Sequence, residues 1–216
     1  MNDTLSIIPL SAQHASSVAQ LHIQGISAGF ISSLGAGFVT ALYEAIAEDE
    51  NSFGFVAVED DKVLGFVAFS TNLSKLYKYV ALKKSFKFGF ILARKMLSIQ
   101  NIKKVWANIF YPKKMKQMNL PDAELLSIVV APEGRGKGIA KQLTEAGFEE
   151  CKKRDIDKVK VLVAADNEPA NRLYQKSGFK LATQLQSHGV MSNVYVKEVI
   201  SCQYSVISKK TKAQRG

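Results

Sequence analysis

The stretch from Glu124 to Phe148 restricts the fold more than any other part of the chain. The run Glu124-Leu125-Leu126-Ser127-Ile128-Val129-Val130 is apolar enough for a buried strand, and Pro132 stops it. Glu133-Gly134-Arg135-Gly136-Lys137-Gly138 then leads into Ile139, Leu143, Ala146, Gly147 and Phe148, which recur at helical spacing. A strand, a Gly-rich turn and a helix start in that order form an anion site. The first N–H groups of a helix have no internal partner, and the macrodipole is positive there. Glycine lets the backbone come close to a diphosphate without a Cβ in the way, while Arg135 and Lys137 add charge. The plain alternative is a connecting turn with solvated cations, since short Gly-rich turns recur by chance. Two familiar phosphate motifs are absent: there is no Gly-x-x-x-x-Gly-Lys-Ser/Thr, and Lys141 breaks Gly-x-Gly-x-x-Gly.

Composition bounds the rest. Of 216 residues, 47% are hydrophobic and 22% charged, which excludes a disordered or fibrous chain and favours one large domain. No run of 18 apolar residues occurs, so no transmembrane segment is expected. Met1-Asn2-Asp3-Thr4 lacks the basic start of a secretory leader. Cys151 and Cys202 offer no disulfide framework and fit a reducing compartment. The expectation is a cytoplasmic protein with a single domain over 1–202 and a basic tail over 203–216.

The net charge of +10 is unevenly placed. No acidic residue lies between Asp61 and Asp122, and that gap holds 13 basic residues, from Lys62 to Lys116. The remaining 16 basic and 19 acidic residues make the rest slightly acidic. Such a segment attracts phosphates, anionic lipids or nucleic acid.

Leu5 to Leu10 reads as an opening strand, with Ser11 as an N-cap for a helix reaching about Gly25. Phe38, Leu42, Tyr43, Ile46 and Ala47 mark a second helix. Phe53–Val58 and Val63–Phe69, separated by Glu59-Asp60-Asp61-Lys62, give a hairpin signal. In the basic segment, Leu76, Tyr79, Val80, Phe86, Phe90, Ala93 and Leu97 suggest one or two helices, and Pro112 breaks any helix near it. Val159–Ala164 is a further strand, and Phe179 to Ile200 reads as two final strands around Ser187-His188-Gly189.

The second motif is Asp166-Asn167-Glu168-Pro169-Ala170-Asn171-Arg172-Leu173-Tyr174, followed by Gly178-Phe179. Pro169 suits a first helical turn and Gly178 a C′ position, and the spacing gathers Asn167, Ala170, Asn171 and Tyr174 on one face. Together the two motifs resemble the GNAT superfamily of acetyltransferases, which use acetyl-coenzyme A. The family's Arg/Gln-x-x-Gly-x-Gly/Ala is met by Arg135, Gly138 and Ala140. Its Asn-x-x-Ala-x-x-x-Tyr with Gly-Phe is met by Asn167, Ala170, Tyr174, Gly178 and Phe179. The resemblance covers Glu124 to Ile200, and Leu5 to Phe69 has the family's element order. Thr71–Pro121 departs from it, because the family turns quickly between those strands.

The resemblance implies an α/β (mixed α+β) GNAT fold. Its central mixed sheet has about seven strands, mostly antiparallel and splayed between strands 4 and 5. About four helices flank it, with the basic helical insertion 71–121 between strands 3 and 4. It also implies acetyl-CoA as cosubstrate, its pyrophosphate on the N–H groups of Arg135, Gly136, Lys137, Gly138, Ile139 and Ala140. The pantetheine arm would pair with the backbone of Ile128, Val129 and Val130, and Asn167, Ala170, Asn171 and Tyr174 would line it. The amine attacks the thioester directly. An N–H near Val130 would hold the oxyanion, and Tyr174 would protonate the departing thiolate. Glu124 is the first candidate base. Asp122 is the second, on the same face if the strand extends that far, and His188 in the last loop is the third. His14 and His22 read as surface or packing residues, although the His22–Phe30 region borders the family's acceptor pocket. No His/Cys cluster has metal-ligand spacing, so no metal is expected.

In the family the insertion would border the acceptor, and its charge suggests a small anionic amine, for example a nucleotide-linked amino sugar. A solvated helical lid is the plain alternative. A peptide or protein N-acetyltransferase is a second class. A non-catalytic acyl-CoA-binding module, peripherally held on an anionic surface, is a third. No motif points to specific nucleic-acid binding, and apolar residues of the insertion could form a homodimer contact.

Overall fold

The computed structural model describes residues 5–27, 29–83, 118–187 and 190–199. Most of the basic insertion, the 203–216 tail, Cys202 and His188 lie outside the described residues. Strand β1 (Ser6–Pro9) opens the chain, and a 3-10 turn (Ala12–His14) leads into α1 (Ala15–Gly25). A one-turn helix α2 (Phe30–Ser33) and α3 (Ala36–Glu48) follow. The hairpin expected from the sequence is β2 (Ser52–Glu59) and β3 (Lys62–Ser70). Its two-residue loop, Asp60 at φ 48° and Asp61 at φ 60°, has the paired positive φ of a type I′ turn.

Helix α4 (Leu73–Lys83) begins the insertion. Strand β4 (Glu124–Val130), a 3-10 turn (Pro132–Gly134) and α5 (Ile139–Lys153) then build the strand–turn–helix unit. Strand β5 (Lys158–Ala164), α6 (Glu168–Lys176), β6 (Lys180–Ser187) and β7 (Val190–Glu198) complete the described residues. Among the described residues, four helices flank the sheet apart from the single turn of α2 and the insertion's α4.

The seven strands lie in the order β1-β2-β3-β4-β5-β7-β6. Every pairing is antiparallel except β4 with β5, which are parallel and pair only at Glu124↔Lys160 and Leu125↔Val161. Beyond Leu125 the two strands diverge. Alternation along β3 then divides the core. Phe66 and Ala68 pack beneath α1 and α3 with Val18, Val39 and Ile46, while Val67 and Phe69 pack beneath α5 with Leu143 and Phe148. Large side chains are thus buried on both faces of the central strands, and among the described strands β4 and β5 are the neighbours whose pairing stops after two positions, which opens the sheet between them.

Candidate active site

The turn expected to hold a diphosphate begins where β4 ends. Gly134 donates to the Ala131 carbonyl at 3.0 Å, closing the 3-10 turn, and the chain then passes through Gly136 at φ +79° and Gly138 at φ +75°. Both glycines occupy the left-handed region, and a Cβ built on either would meet nothing within 4 Å. The protein therefore leaves space at these positions that a bound group can enter.

The donors around that space divide into two sets. Arg135 N–H donates to Pro132 at 3.2 Å and Lys137 N–H to Gly134 at 3.4 Å, so both are engaged within the turn. The N–H groups of Gly136, Gly138, Ile139 and Ala140 have no backbone partner among the described residues. No side chain caps α5, whose N-cap is Gly138 itself. The cations also differ. Lys137 pairs with Glu59 at 3.0 Å, and Glu133 pairs with Lys62 at 2.6 Å. Arg135 makes no ion pair among the described residues.

The gap between β4 and β5 supplies a second set of backbone groups. Ala131 N–H donates to Leu64 at 2.8 Å, so alternation along the β3–β4 ladder turns Val129 toward β3 and turns Ile128 and Val130 away from it. Ile128 and Val130 thus present N–H and C=O to the edge that β5 has left.

Glu124 stands at the fork of the two strands, 8% exposed, with its carboxylate 3.5 Å from Lys160 Nζ. Lys160, 2% exposed, also donates to the carbonyls of Pro121 and Asp122, pinning the chain that enters β4. The charge of Glu124 reaches α4: after burial itself, it is what pushes the Tyr77 hydroxyl up from its ordinary value. Beyond that backbone carbonyl, the Asp122 side chain makes no ion pair with this cluster. Strand β4 starts at Glu124, so the extension that would bring Asp122 onto the same face is missing, and its side chain is exposed. It lines a cleft of about 1030 Å³ with Thr71, Leu120 and Lys158. That cleft lies where β4 and β5 begin, at the end opposite their divergence, so it is unrelated to the opening described above.

Helix α6 closes the other side. Asn167 is its N-cap, its Oδ1 accepting from Ala170 N–H at 3.2 Å. The C-terminus is a Schellman motif: Phe179 N–H donates to Tyr174 at 3.0 Å and Gly178 N–H to Gln175 at 3.0 Å, with Gly178 at φ +83°. The accompanying contact sets the Phe179 ring 5.5 Å from the Tyr174 ring. Tyr174 is buried, and burial raises its hydroxyl well above the ordinary phenol value.

Asn171, expected from the resemblance to line the cofactor arm, has its side chain occupied within the protein. Its Nδ2 donates to Ala164 at 3.0 Å and Asn167 at 2.7 Å. Its Oδ1 accepts from Asn193 Nδ2 at 2.8 Å and the Tyr195 hydroxyl at 2.9 Å. Those bonds use both donors and both lone pairs of the amide, leaving none for a ligand.

Among the described residues no group of three or more His, Cys, Asp or Glu could hold a metal, and no helix is long and apolar enough to cross a membrane. Sequence reasoning passed over Lys160, Ser127 and Tyr43. Lys160 alternates with Val159 and Val161 and so reads as a solvent-facing residue. Only its register opposite Glu124 reveals the pair.

Comparison with known proteins fixes the family. The family model described as Acetyltransferase (GNAT) family matches residues 26–179. The chain belongs to the GNAT acetyltransferase family. A Bacillus subtilis (strain 168) protein, provisionally named a ribosomal protein bS18-alanine N-acetyltransferase, is 32% identical over 76 residues, 35% of this chain and 46% of that one. A mycothiol acetyltransferase of Paenarthrobacter aurescens (strain TC1) is 43% identical over 56 residues, 26% of this chain and 17% of that one. The chain thus matches less than half the length of these curated relatives. Among solved structures, the Escherichia coli ribosomal-protein-S18-alanine N-acetyltransferase superposes with a TM-score of 0.56 at 14% identity, covering 92% of this chain and 96% of its own. Arabidopsis thaliana NAA60 in complex with acetyl-CoA superposes with a TM-score of 0.59 at 16% identity, covering 90% and 98%. At such identities these likenesses speak for the fold.

Proposed function

We propose that the protein transfers the acetyl group of acetyl-CoA to a primary amine by direct attack in a ternary complex. The observation that carries this reading is the opening between β4 and β5, with unpaired donors at the α5 start below it and the Glu124 carboxylate at its fork. The diphosphate would lie on the N–H groups of Gly136, Gly138, Ile139 and Ala140, with Arg135 as counter-charge. The pantetheine arm would follow Ile128 and Val130, beside Asn167 and Ala170. Asn171 serves this site by holding α6 to β5 and β7.

In the reaction the amine nitrogen bonds to the thioester carbon as its proton passes to Glu124, directly or through water. Charge building on the carbonyl oxygen would meet a β4 N–H. When the C–S bond breaks, Tyr174 gives its proton to the sulfur. Holding both reactants in line can supply several kcal/mol of the barrier, so no covalent enzyme intermediate is needed. Asp122, on the far cleft, is set aside as base; His188 lies outside the described residues and keeps its standing as an alternative.

For the acceptor, the 13 cations between Asp61 and Asp122 favour a small anionic amine. The ribosomal-protein-alanine name of one relative supports a second reading, a peptide N-terminus, with acidic peptides docking on the same charge. Thiol release from acetyl-CoA across nucleotide-linked amino sugars, polyamines and short peptides tests both. An anionic acceptor should show a KM that rises steeply with salt. Polyamines as the preferred acceptors would overturn the anionic reading, and no release with any amine would overturn the enzymatic one.

A further inference from the structure

Strand β4 is bulged as it passes the fork. Ala68 on β3 lies opposite Ser127, yet its neighbour Phe69 lies opposite Leu125, so Leu126 is an extra residue. In a regular strand Leu125 and Ser127 would share a face. Here Leu125 packs in the core beneath α5, while Ser127 turns to the α1–α3 side, where it is 6% exposed.

That places a hydroxyl among apolar side chains, and two helices meet it with polar groups. Tyr43 of α3, 1% exposed, shares a hydrogen bond with Ser127 Oγ at 2.8 Å. The same Tyr43 hydroxyl shares a second with His22 Nδ1 of α1 at 2.6 Å. The His22 ring stacks 6.4 Å from Phe66, and its Nε2 is buried with no partner among the described residues. Apolar side chains of the same size would fill this space without an orphaned nitrogen. What the polar chain adds is directional: it fixes Ser127, and the two residues facing the opening, Ile128 and Val130, follow at once.

We propose that Ser127, held by Tyr43 and His22, is a positioning residue. The three-residue chain locks the bulge in the phase that aims the Ile128 and Val130 N–H groups at the thioester carbonyl. This deepens the acetyltransferase reading and rests on it.

Isotope-edited infrared spectroscopy of carbonyl-labelled acetyl-CoA on the full chain tests it without an acceptor. In the unaltered protein the bound carbonyl stretch should lie below its solution frequency, because a donor polarises it. In Ser127→Ala and in Tyr43→Phe it should return toward the solution value. The coenzyme A Kd should stay within about twofold, since the phosphate turn is untouched, and kcat should fall about tenfold or more. Ser127→Thr keeps the hydroxyl and should keep the shift. If Ser127→Ala does not fold, Tyr43→Phe gives the same reading with one oxygen removed. An unaltered carbonyl frequency in folded Ser127→Ala and Tyr43→Phe would overturn the positioning role while leaving the acetyltransferase reading intact. Failure of the unaltered protein to bind acetyl-CoA would overturn both.

Discussion

In the proposed reaction Tyr174 and Glu124 would make opposite demands on their surroundings, because one would have to keep a proton until the thiolate leaves and the other would have to take one. Burial serves Tyr174, whose phenol is held protonated across the neutral range. Tyr174→Phe should therefore lower turnover by about 10² or more while the acetyl-CoA Kd moves little; single-turnover kinetics beside calorimetry separate the two. Glu124 is buried with its carboxylate 3.5 Å from Lys160 Nζ. Lys160→Met takes the cation from that carboxylate and should cost about 3–5 kcal/mol in urea unfolding. Adding Glu124→Gln should recover much of the loss. A Lys160→Met protein as stable as the parent would show that the pair contributes nothing. The Glu124 end of this pair was legible in the sequence as a carboxylate at a strand start. Its partner was not, because alternation assigns Lys160 to water and only the parallel neighbour explains its burial.

Elements turn these residues into a site, and here sequence and structure diverge in an instructive way. The α1 end near Gly25 and both ends of α6 could be read from the sequence, Pro169 and Gly178 acting locally, as could the β2–β3 hairpin from its aspartates. The bulge at Leu126 could not, because it exists only as a mismatch between two strands distant in sequence. Tyr43 read as one more apolar helix position for the same reason: its hydroxyl's partners come from other elements. Two predictions belong to this scale. Gly178 at φ +83° ends α6, so Gly178→Ala should cost roughly 1–2 kcal/mol and loosen the helix that carries Tyr174. Hydrogen exchange of the α6 amides would report it. For α1, burial pushes His22 down from 6.5 to about 4. The unfolded chain then binds a proton that the folded chain refuses between those values, so stability is full above pH 6.5 and falls as pH drops toward 4. On the order of 3 kcal/mol should be lost across that window. Comparing denaturant midpoints of the parent and His22→Gln would expose the contribution, and identical pH slopes would rule it out.

At the scale of the whole molecule, the fold sets a diverging pair of strands above an uncapped helix start, and most of that was foreseeable. The Gly-rich turn and the Asn167–Phe179 motif are each local in sequence, and together they carry the family resemblance, which implied a sheet splayed between strands 4 and 5; that these two strands pair in parallel comes from the structure. The acceptor side was less legible, since charge without spacing does not define a pocket. The central claim is that the turn from Gly136 to Ala140 grips a diphosphate, and calorimetric titration of acetyl-CoA addresses it directly. A Cβ at Gly138 would meet no protein atom within 4 Å, so a bulky residue there would occupy the ligand's space rather than the core's. The account predicts saturable binding by the parent chain and none by a folded Gly138→Trp protein. Absence of heat with the parent, or equal affinity in Gly138→Trp, would contradict it.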